Sequence, residues 1–457
     1  MSVEEQPGQF ERAVPQRKVL SRMTTSVSHQ FKRLLIRSVR KIPGMKGFAD
    51  YPHYEPLHSG SAGMIKWYYG PDGTDQKPQS IRDIPWDYVI ENQDEIPFTG
   101  LKEYWYPALK STELPNNTPV PTTLLSENLV FFRDEQGNPC ALENRCPHRS
   151  PLLSLGQVGV WAPGTITCRY HGLTFTGKGE CVAFLADGPN SPACKKYKAR
   201  SYPVEEHAGV IFVYMGEREP KPFLESQPYA KSVFSQKQFV LDIKEVGYNF
   251  LNILDNTLDM SHVGCLHRTC VLFAGQKSHT QVGYNEVEAD NGVKGIHAFC
   301  EKGGVDHPSE FNIDEITWFP PNFVYHGPGE LPGGFNEGYF WFVPQDIGNF
   351  RSWLIMGTKT SGNKLKDKLN RALFQAVASM GEMPGTNCFI GGDAAMQMSQ
   401  GRIVRWDKEQ LSRVDRGTAQ GRKSIKALHK AEVAERKARG TYKPIVPPSI
   451  IASSSED

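Results

Sequence analysis

The chain has 457 residues, enough for two domains around a large buried core. With 22% charged residues, 39% hydrophobic residues and a net charge of +2, it has the composition of a soluble globular protein and no bias toward nucleic acid. Nine Cys, an odd number behind no secretory start, argue against a disulfide framework and for a reducing, cytoplasmic setting in which thiolates are free for metals.

Residues 1–95 form a basic N-terminal extension without a catalytic signature. Arg12 to Phe48 holds ten Lys or Arg and no Asp or Glu. Phe31, Leu34, Leu35 and Val39 interleave there with Lys32, Arg33, Arg37, Arg40 and Lys41. This pattern suits a basic amphipathic helix for an anionic surface or partner, and equally a solvated extension. A transit peptide is a third option, with Glu4, Glu5 and Glu11 against it.

From about Phe98 the texture changes to short β-branched and apolar runs broken by Pro, Gly and Asn. Val120 to Leu125, Leu129 to Arg133, Cys140 to Glu143 and Gly209 to Tyr214 read as strands of an all-β domain. The run Gly209 to Met215, the longest apolar stretch, is too short to span a bilayer. Within this domain lie Cys146-Pro147-His148 and Cys168-Arg169-Tyr170-His171, separated by 19 residues. Two thiolates and two imidazoles on two loops suit structural zinc, or a [2Fe–2S] centre with Cys on one iron and His on the other.

The densest cluster of titratable side chains follows, from Asp255 to His267. Val246 to Leu258 reads as a helix with Phe250, Leu251 and Leu254 on its apolar side. A 3.6-residue period then puts Asp255, Asp259 and His262 on one face. His267 lies about 140° further round an ideal helix, so both imidazoles reach one ion only if the helix loosens, and Gly264 stands where it could. A solvated polar face is the plain alternative. A zinc cluster of His262, Cys265, His267 and Cys270 is the sharper one.

Gln281 to Leu354 reads as aromatic-rich strands, most of whose rings belong in a core. Leu365, Leu369, Leu373, Val377 and Met380 recur at helical spacing, as an amphipathic helix on that sheet would. Asp393 after Gly391-Gly392 reads as a helix N-cap or a metal ligand. Gln410 to Arg439 is a polar, Lys/Arg-rich helix for the surface or a subunit contact. Cys140, Cys181, Cys194, Cys265, Cys270, Cys300 and Cys388 read as plain thiols, and the remaining His have no partner spacing.

Cys-Pro-His-Arg, Cys-Arg-Tyr-His-Gly, Tyr202-Pro-Val-Glu-Glu206 and Gly209-Val-Ile-Phe-Val213 together resemble the Rieske domain of the Rieske non-haem iron ring-hydroxylating oxygenases, from about Tyr104 to Gly216. Two departures are Leu173, where the family usually has Trp, and a slightly longer spacing between the pairs. Asn256-x-x-Asp259-x-x-His262-x-x-x-x-His267 resembles the mononuclear-iron motif of the same family. Gly392-Asp393-x-x-x-Gln397-x-Ser399-x-Gly401 resembles the helix start that carries its third ligand in the phthalate-dioxygenase and vanillate-demethylase branch.

The resemblance implies an α+β chain: an all-β Rieske [2Fe–2S] domain (96–220), a helix-covered antiparallel β-sheet catalytic domain of START/Bet v1-like type (221–440), and a tail (441–457). It implies Cys146, His148, Cys168 and His171 as cluster ligands. It implies His262, His267 and Asp393 as ligands of a mononuclear Fe(II), the two-His, one-carboxylate triad that leaves positions open for O₂. Asn256 and Asp259 would be catalytic, with Asp259 accepting the His262 imidazole N–H and reaching a Rieske His of a neighbouring subunit. The expected activity is hydroxylation or oxidative demethylation of a small, aromatic organic substrate. The expected partners are an NAD(P)H-dependent flavin/iron-sulfur reductase or a ferredoxin, and two further copies in a homotrimer. An electron carrier lacking the second metal, and a zinc-stabilised binding module, are the competing readings.

Overall fold

The structure, a computed structural model, describes residues 84–188, 191–236, 239–262, 266, 282–300, 315–327, 335–358, 362–369, 372 and 390–448. Its first half is built from three small antiparallel sheets. One pairs β1 (Trp105–Lys110) with β11 (Val210–Tyr214) and β11 with β10 (Val204–His207). A second orders β2 (Val120–Leu124), β3 (Glu127–Arg133), β4 (Pro139–Glu143) and β9 (Ser201–Tyr202). The third orders β5 (Gln157–Val158), β6 (Ile166–Thr167), β7 (Leu173–Phe175) and β8 (Cys181–Phe184). The strands read from the sequence are all present, within two residues at their ends. Cys140, Cys181 and Cys194 are free thiols.

The second half is one seven-stranded antiparallel sheet. Its members are β12 (Phe239–Val246), β13 (Val282–Glu288), β14 (Lys294–Cys300), β15 (Glu315–Phe319), β16 (Phe323–His326), β17 (Phe335–Asp346) and β18 (Asn349–Thr358), in the order β12-β18-β17-β16-β15-β14-β13. Because neighbours along a strand point to opposite faces, the aromatics divide between two cores. Phe319, Phe323, Tyr339, Trp341 and Trp353 face the back, where they pack with Trp105, Phe212 and Phe223 of the first half. Ile296, Ala298, Trp318, Val324, Phe342 and Phe350 face the front.

Three helices cover or flank that front: α1 (Trp86–Asn92), α2 (Phe250–Leu258) and, late in the chain, α3 (Ile390–Ser399). Leu251, Leu254 and Leu258 of α2 enter the front core with Tyr88 and Val89 of α1 and Ala394 and Met398 of α3. Ile84, Tyr88, Val89 and Ile96 thus belong to this core. The segment Arg12 to Phe48 lies outside the described residues.

The helix expected from Val246 starts later. Val246 ends β12, and Asn249 caps α2 by accepting from the N–H of Leu251 at 2.9 Å. Residues 364–369 are helical, but Leu365 and Leu369 are exposed and Asp367 is buried, so their expected packing on the sheet does not occur there. Leu373, Val377 and Met380 lie outside the described residues.

The polar helix of the C-terminal region is α4 (Arg416–Arg439). One of its faces is not at the surface. Gly417 and Gly421 let it pack against α2: a Cβ on Gly417 would stand 2.4 Å from the Leu258 carbonyl oxygen, and one on Gly421 2.1 Å from Leu258 Cδ1. The contact is made by missing side chains, and apolar periodicity does not register it. No helix among the described residues is long and apolar enough to cross a membrane. The start of the tail is tied down, with Thr441 bonded to Glu217 and Ile445 N–H to Gln93.

Candidate Rieske and mononuclear metal centres

The first centre is made by two short loops of matching design. The β4–β5 loop is closed by Cys146 N–H to the Pro151 carbonyl at 2.9 Å and Ser150 N–H to the Cys146 carbonyl at 2.9 Å. The β6–β7 loop is closed by Cys168 N–H to the Leu173 carbonyl at 2.7 Å and Gly172 N–H to the Cys168 carbonyl at 3.0 Å. Ser150 and Gly172 take positive φ of 63° and 75° at the turns. Glycine is needed at 172 twice over, since a Cβ there would also stand 2.5 Å from Leu185 Cβ.

Both sulfurs are buried, at 1% and 2% exposure, and lie close enough to influence each other's ionisation. Each also faces backbone N–H donors from its own loop: His148 and Arg149 toward Cys146, Tyr170 and His171 toward Cys168. The Cys146 thiol is pushed up and the Cys168 thiol down, chiefly by their interaction with each other. A metal ion binding such a pair would displace its thiol protons to solvent, and the N–H donors would then stabilise the thiolates.

The two imidazoles sit together on the outer side, half-exposed, with ring centroids 4.9 Å apart. Phe184 and Tyr197 each contact His148 at 5.5 Å, and Tyr170 lies against His171 at 3.9 Å. The donors therefore form a buried sulfur pair and an outer nitrogen pair. Among the described residues no three His, Cys, Asp or Glu side chains are placed to hold one metal ion. Zinc would draw all four donors onto a single ion; a cluster with Cys on one iron and His on the other matches two pairs. Leu173, the residue that departs from the family pattern, is fully buried in the core beneath the loops.

The second centre is assembled across the chain. α2 ends at Leu258, and Met260–His262 continues as a 3-10 turn, so the helix loosens before Gly264. Asp255 and Asp259 consequently do not share a face with His262. Asp255 turns toward α4, where Arg422 binds it through two bonds of 2.8 and 2.6 Å and Trp406 donates at 3.0 Å. Burial raises the Asp255 carboxyl to about 6 despite that guanidinium.

His262 points the other way. Its Nδ1 is bonded to the backbone carbonyl of Asp259, and its Nε2 lies 3.4 Å from Asp393 Oδ1. Asn256 donates to the same oxygen at 3.2 Å, across 137 residues of sequence. The Asp259 carboxylate accepts instead from Ser261, at 2.9 Å from its N–H. The expected bond from the imidazole to that carboxylate is replaced by one to the backbone, which fixes the same tautomer.

Asp393 is 7% exposed and lies inside the first turn of α3 instead of capping it. Burial alone would lower the His262 pKa, but the hydrogen bond and charge of Asp393 raise it, so the pair holds a proton that a metal ion would have to displace. An imidazole nitrogen and a carboxylate oxygen at this separation suit adjacent positions around an Fe(II) ion. His267, Cys265 and Cys270 lie outside the described residues.

Two residues of this centre were missed in the sequence. Asn249 and Asn252 are fully buried and share a helical face with Asn256. Asn252 donates to the carbonyls of Gln397 and Gly401 at 3.3 and 3.0 Å and accepts from Val404 N–H at 3.2 Å, locking α2 to α3. Asn249 donates to the carbonyls of Phe98 and Ile347 at 2.8 and 2.6 Å. Three Asn at i, i+3 and i+7 beside an apolar stripe were the available signal.

The two loops place two Cys and two His as a Rieske domain would, and the larger sheet carries an imidazole–carboxylate pair, His262 and Asp393, beside its front face. A profile of the Rieske [2Fe-2S] domain matches residues 104–203. The 3-chlorobenzoate-3,4-dioxygenase oxygenase subunit of Comamonas testosteroni is 38% identical over 175 residues, which cover 37% of this chain and 39% of that protein. The phenoxybenzoate dioxygenase subunit alpha of Ectopseudomonas oleovorans is 27% identical over 342 residues, 71% of this chain and 80% of its own. Chlorophyllide a oxygenase of Chlamydomonas reinhardtii is 35% identical over 180 residues, 26% of its length. Among solved structures, the oxygenase of carbazole 1,9a-dioxygenase in complex with its ferredoxin superposes with a TM-score of 0.63 at 20% identity, covering 79% of this chain and 99% of that one. The chain thus carries a Rieske [2Fe–2S] domain and shares the fold of the carbazole 1,9a-dioxygenase oxygenase.

Proposed function

We propose that this protein is the oxygenase component of a Rieske system, inserting oxygen from O₂ into a small aromatic substrate by hydroxylation or oxidative demethylation. The contact of His262 Nε2 with Asp393 Oδ1, in a chain that also carries the Rieske loops, supports this reading most strongly. An iron held there would activate O₂ with electrons from the cluster, whose His ligation sets a potential of roughly −150 to +300 mV. The protein's own part is to hold that ion. The Asp259 carbonyl orients His262, Asn256 steadies the Asp393 carboxylate, and burial keeps bulk water from that carboxylate.

Electrons come from a ferredoxin or an NAD(P)H-dependent reductase, and the solved relatives bound to their ferredoxins support the former. By the family resemblance the working unit is a homotrimer in a reducing compartment, with Asp259 linking this centre to the outer imidazoles of a neighbouring copy. His267 completes the ligand set by the same resemblance. The test is a single turnover. Protein reduced at the Rieske centre is mixed with ¹⁸O₂ and a panel of chlorinated and methoxylated aromatics, and products are read by mass spectrometry. Label in a product supports the reading; unlabelled aromatics together with equal cluster reoxidation in wild type and Asp393→Ala contradict it.

A further inference from the structure

Two histidines of the large sheet face opposite ways, and only one has its polar needs met. His297 accepts or donates at Nδ1 with Thr317 Oγ1 at 3.0 Å. His326, the last residue of β16, is 8% exposed, and its ring makes no hydrogen bond or ion pair among the described residues. Its described ring neighbour is Phe340, at 5.2 Å and 75°. A buried imidazole with neither nitrogen engaged carries a desolvation cost that a core residue would not retain without a partner.

Sheet register says where that partner would stand. Ala298 lies opposite Ile316, and continuing the Thr317–Tyr325 pair by one residue sets Ile316 opposite His326. His326 lies opposite Gly338, Gly338 opposite Met356, and Met356 opposite Val240. His326 and Ala298 therefore share one cross-sheet row on the front face, two strands apart, or about 10 Å. Above Ala298 sits the end of α2: Gly417 approaches both the Leu258 carbonyl and the Ala298 methyl. The turn carrying His262 packs on the same strand, β14. Around His326 the wall is apolar, formed by Phe340, Leu354, Met356 and Val240.

We propose that His326 is the polar anchor of the substrate site, hydrogen-bonding the hydroxyl of an uncharged aromatic substrate laid between the sheet and the mononuclear centre. This rests on the oxygenase reading above and adds to it the substrate class. Desolvation holds the imidazole neutral, with a pKa lowered to about 4. A neutral ring offers one N–H and one lone pair, the complement of a hydroxyl. A carboxylate would ask for a second donor and a positive charge. The charged residues Asp242 and Lys244 of β12, on the same face, are paired with each other at 3.5 Å.

The test is anaerobic titration calorimetry on protein carrying both metal centres, with three probes of one shape: 3-chlorophenol, 3-chlorotoluene and 3-chlorobenzoate. Wild type is expected to bind the phenol about tenfold more tightly than the other two, the worth of one hydrogen bond to a buried group. His326→Leu should bring the phenol-to-toluene ratio to about one, and His326→Gln should keep part of it. His326→Met carries the same comparison if the Leu variant does not fold. No binding of the phenol, a wild-type preference for the toluene or benzoate, or an unchanged ratio in the apolar variant would overturn the proposal. Iron content is measured on the same samples. A protein with an empty mononuclear centre would refute the oxygenase reading separately, whatever the ligand ratios.

Discussion

The two centres differ in how the chain builds them. The Rieske donors sit on two loops, each closed by its own pair of backbone hydrogen bonds, and the loops share one small core. The proposed mononuclear centre has no such local frame. His262 hangs from the end of α2 and Asp393 from the start of α3, and they meet only because Asn252 and Asn256 bond one helix to the other while Gly417 and Gly421 admit α4 behind. A locally framed site should fail only when its donors are removed. An assembled site should fail also when distant packing is disturbed.

The largest expected effect removes a local donor. Cys146→Ser or Cys168→Ser should abolish the visible absorption of the cluster, because each sulfur is a buried donor without a substitute. Colour and iron content that survive either change would exclude the Rieske assignment.

Next come changes that touch no donor. Gly417→Val places side-chain atoms against the Leu258 backbone carbonyl, so α2 must shift. Iron at the mononuclear centre should drop by tenfold or more while the Rieske spectrum stays intact. Equal loss from both centres would mean that they are not built independently. Asn252→Leu should cost about 3 kcal/mol in urea unfolding, since it strands two carbonyls and one N–H inside the protein. A cost below about 1 kcal/mol would show that the asparagine face does not hold α2 to α3.

Electron transfer offers a subtler distinction. In Asp259→Asn both metals should remain, because the bond to His262 comes from the backbone, while reoxidation of the reduced cluster by O₂ and substrate slows. Stopped-flow traces matching wild type would remove the bridge between subunits.

The smallest effect is one of pH. His326 has a pKa of about 4 in the fold against 6.5 when free, so the unfolded chain takes up this proton first as pH falls. Its stabilising effect is complete above pH 6.5 and is lost on the way down to 4. Relative to wild type, His326→Leu should therefore gain about 2 kcal/mol between pH 7 and pH 5. Thermal melts at the two pH values check this, and a constant difference would mean the ring is not held neutral by burial.

The same contrast governs what could be read from sequence. Cys146, His148, Cys168 and His171 were legible because spacing alone nearly builds a local site, and the strands around them announce themselves by alternation and turn residues. His262, Asn256 and Asp393 were found through family motifs, whereas their geometry was not. Periodicity put Asp255 on the metal face; Arg422, far along the chain, draws it to the other side. Helix α4 looked like a surface element because its contact with α2 uses glycines. Leu365 and Leu369 showed the opposite error, an apolar spacing whose members face solvent. Tertiary partners decided each case, and a pattern along one segment does not contain them.

The central claim is that one chain holds two separate iron centres. Iron and acid-labile sulfide analysis of wild type and Asp393→Ala tests it most directly. Wild type should approach about three irons and two sulfides per chain, and the variant about two irons and two sulfides with an unchanged Rieske spectrum. About two irons in both proteins, or loss of sulfide together with the third iron, would contradict it.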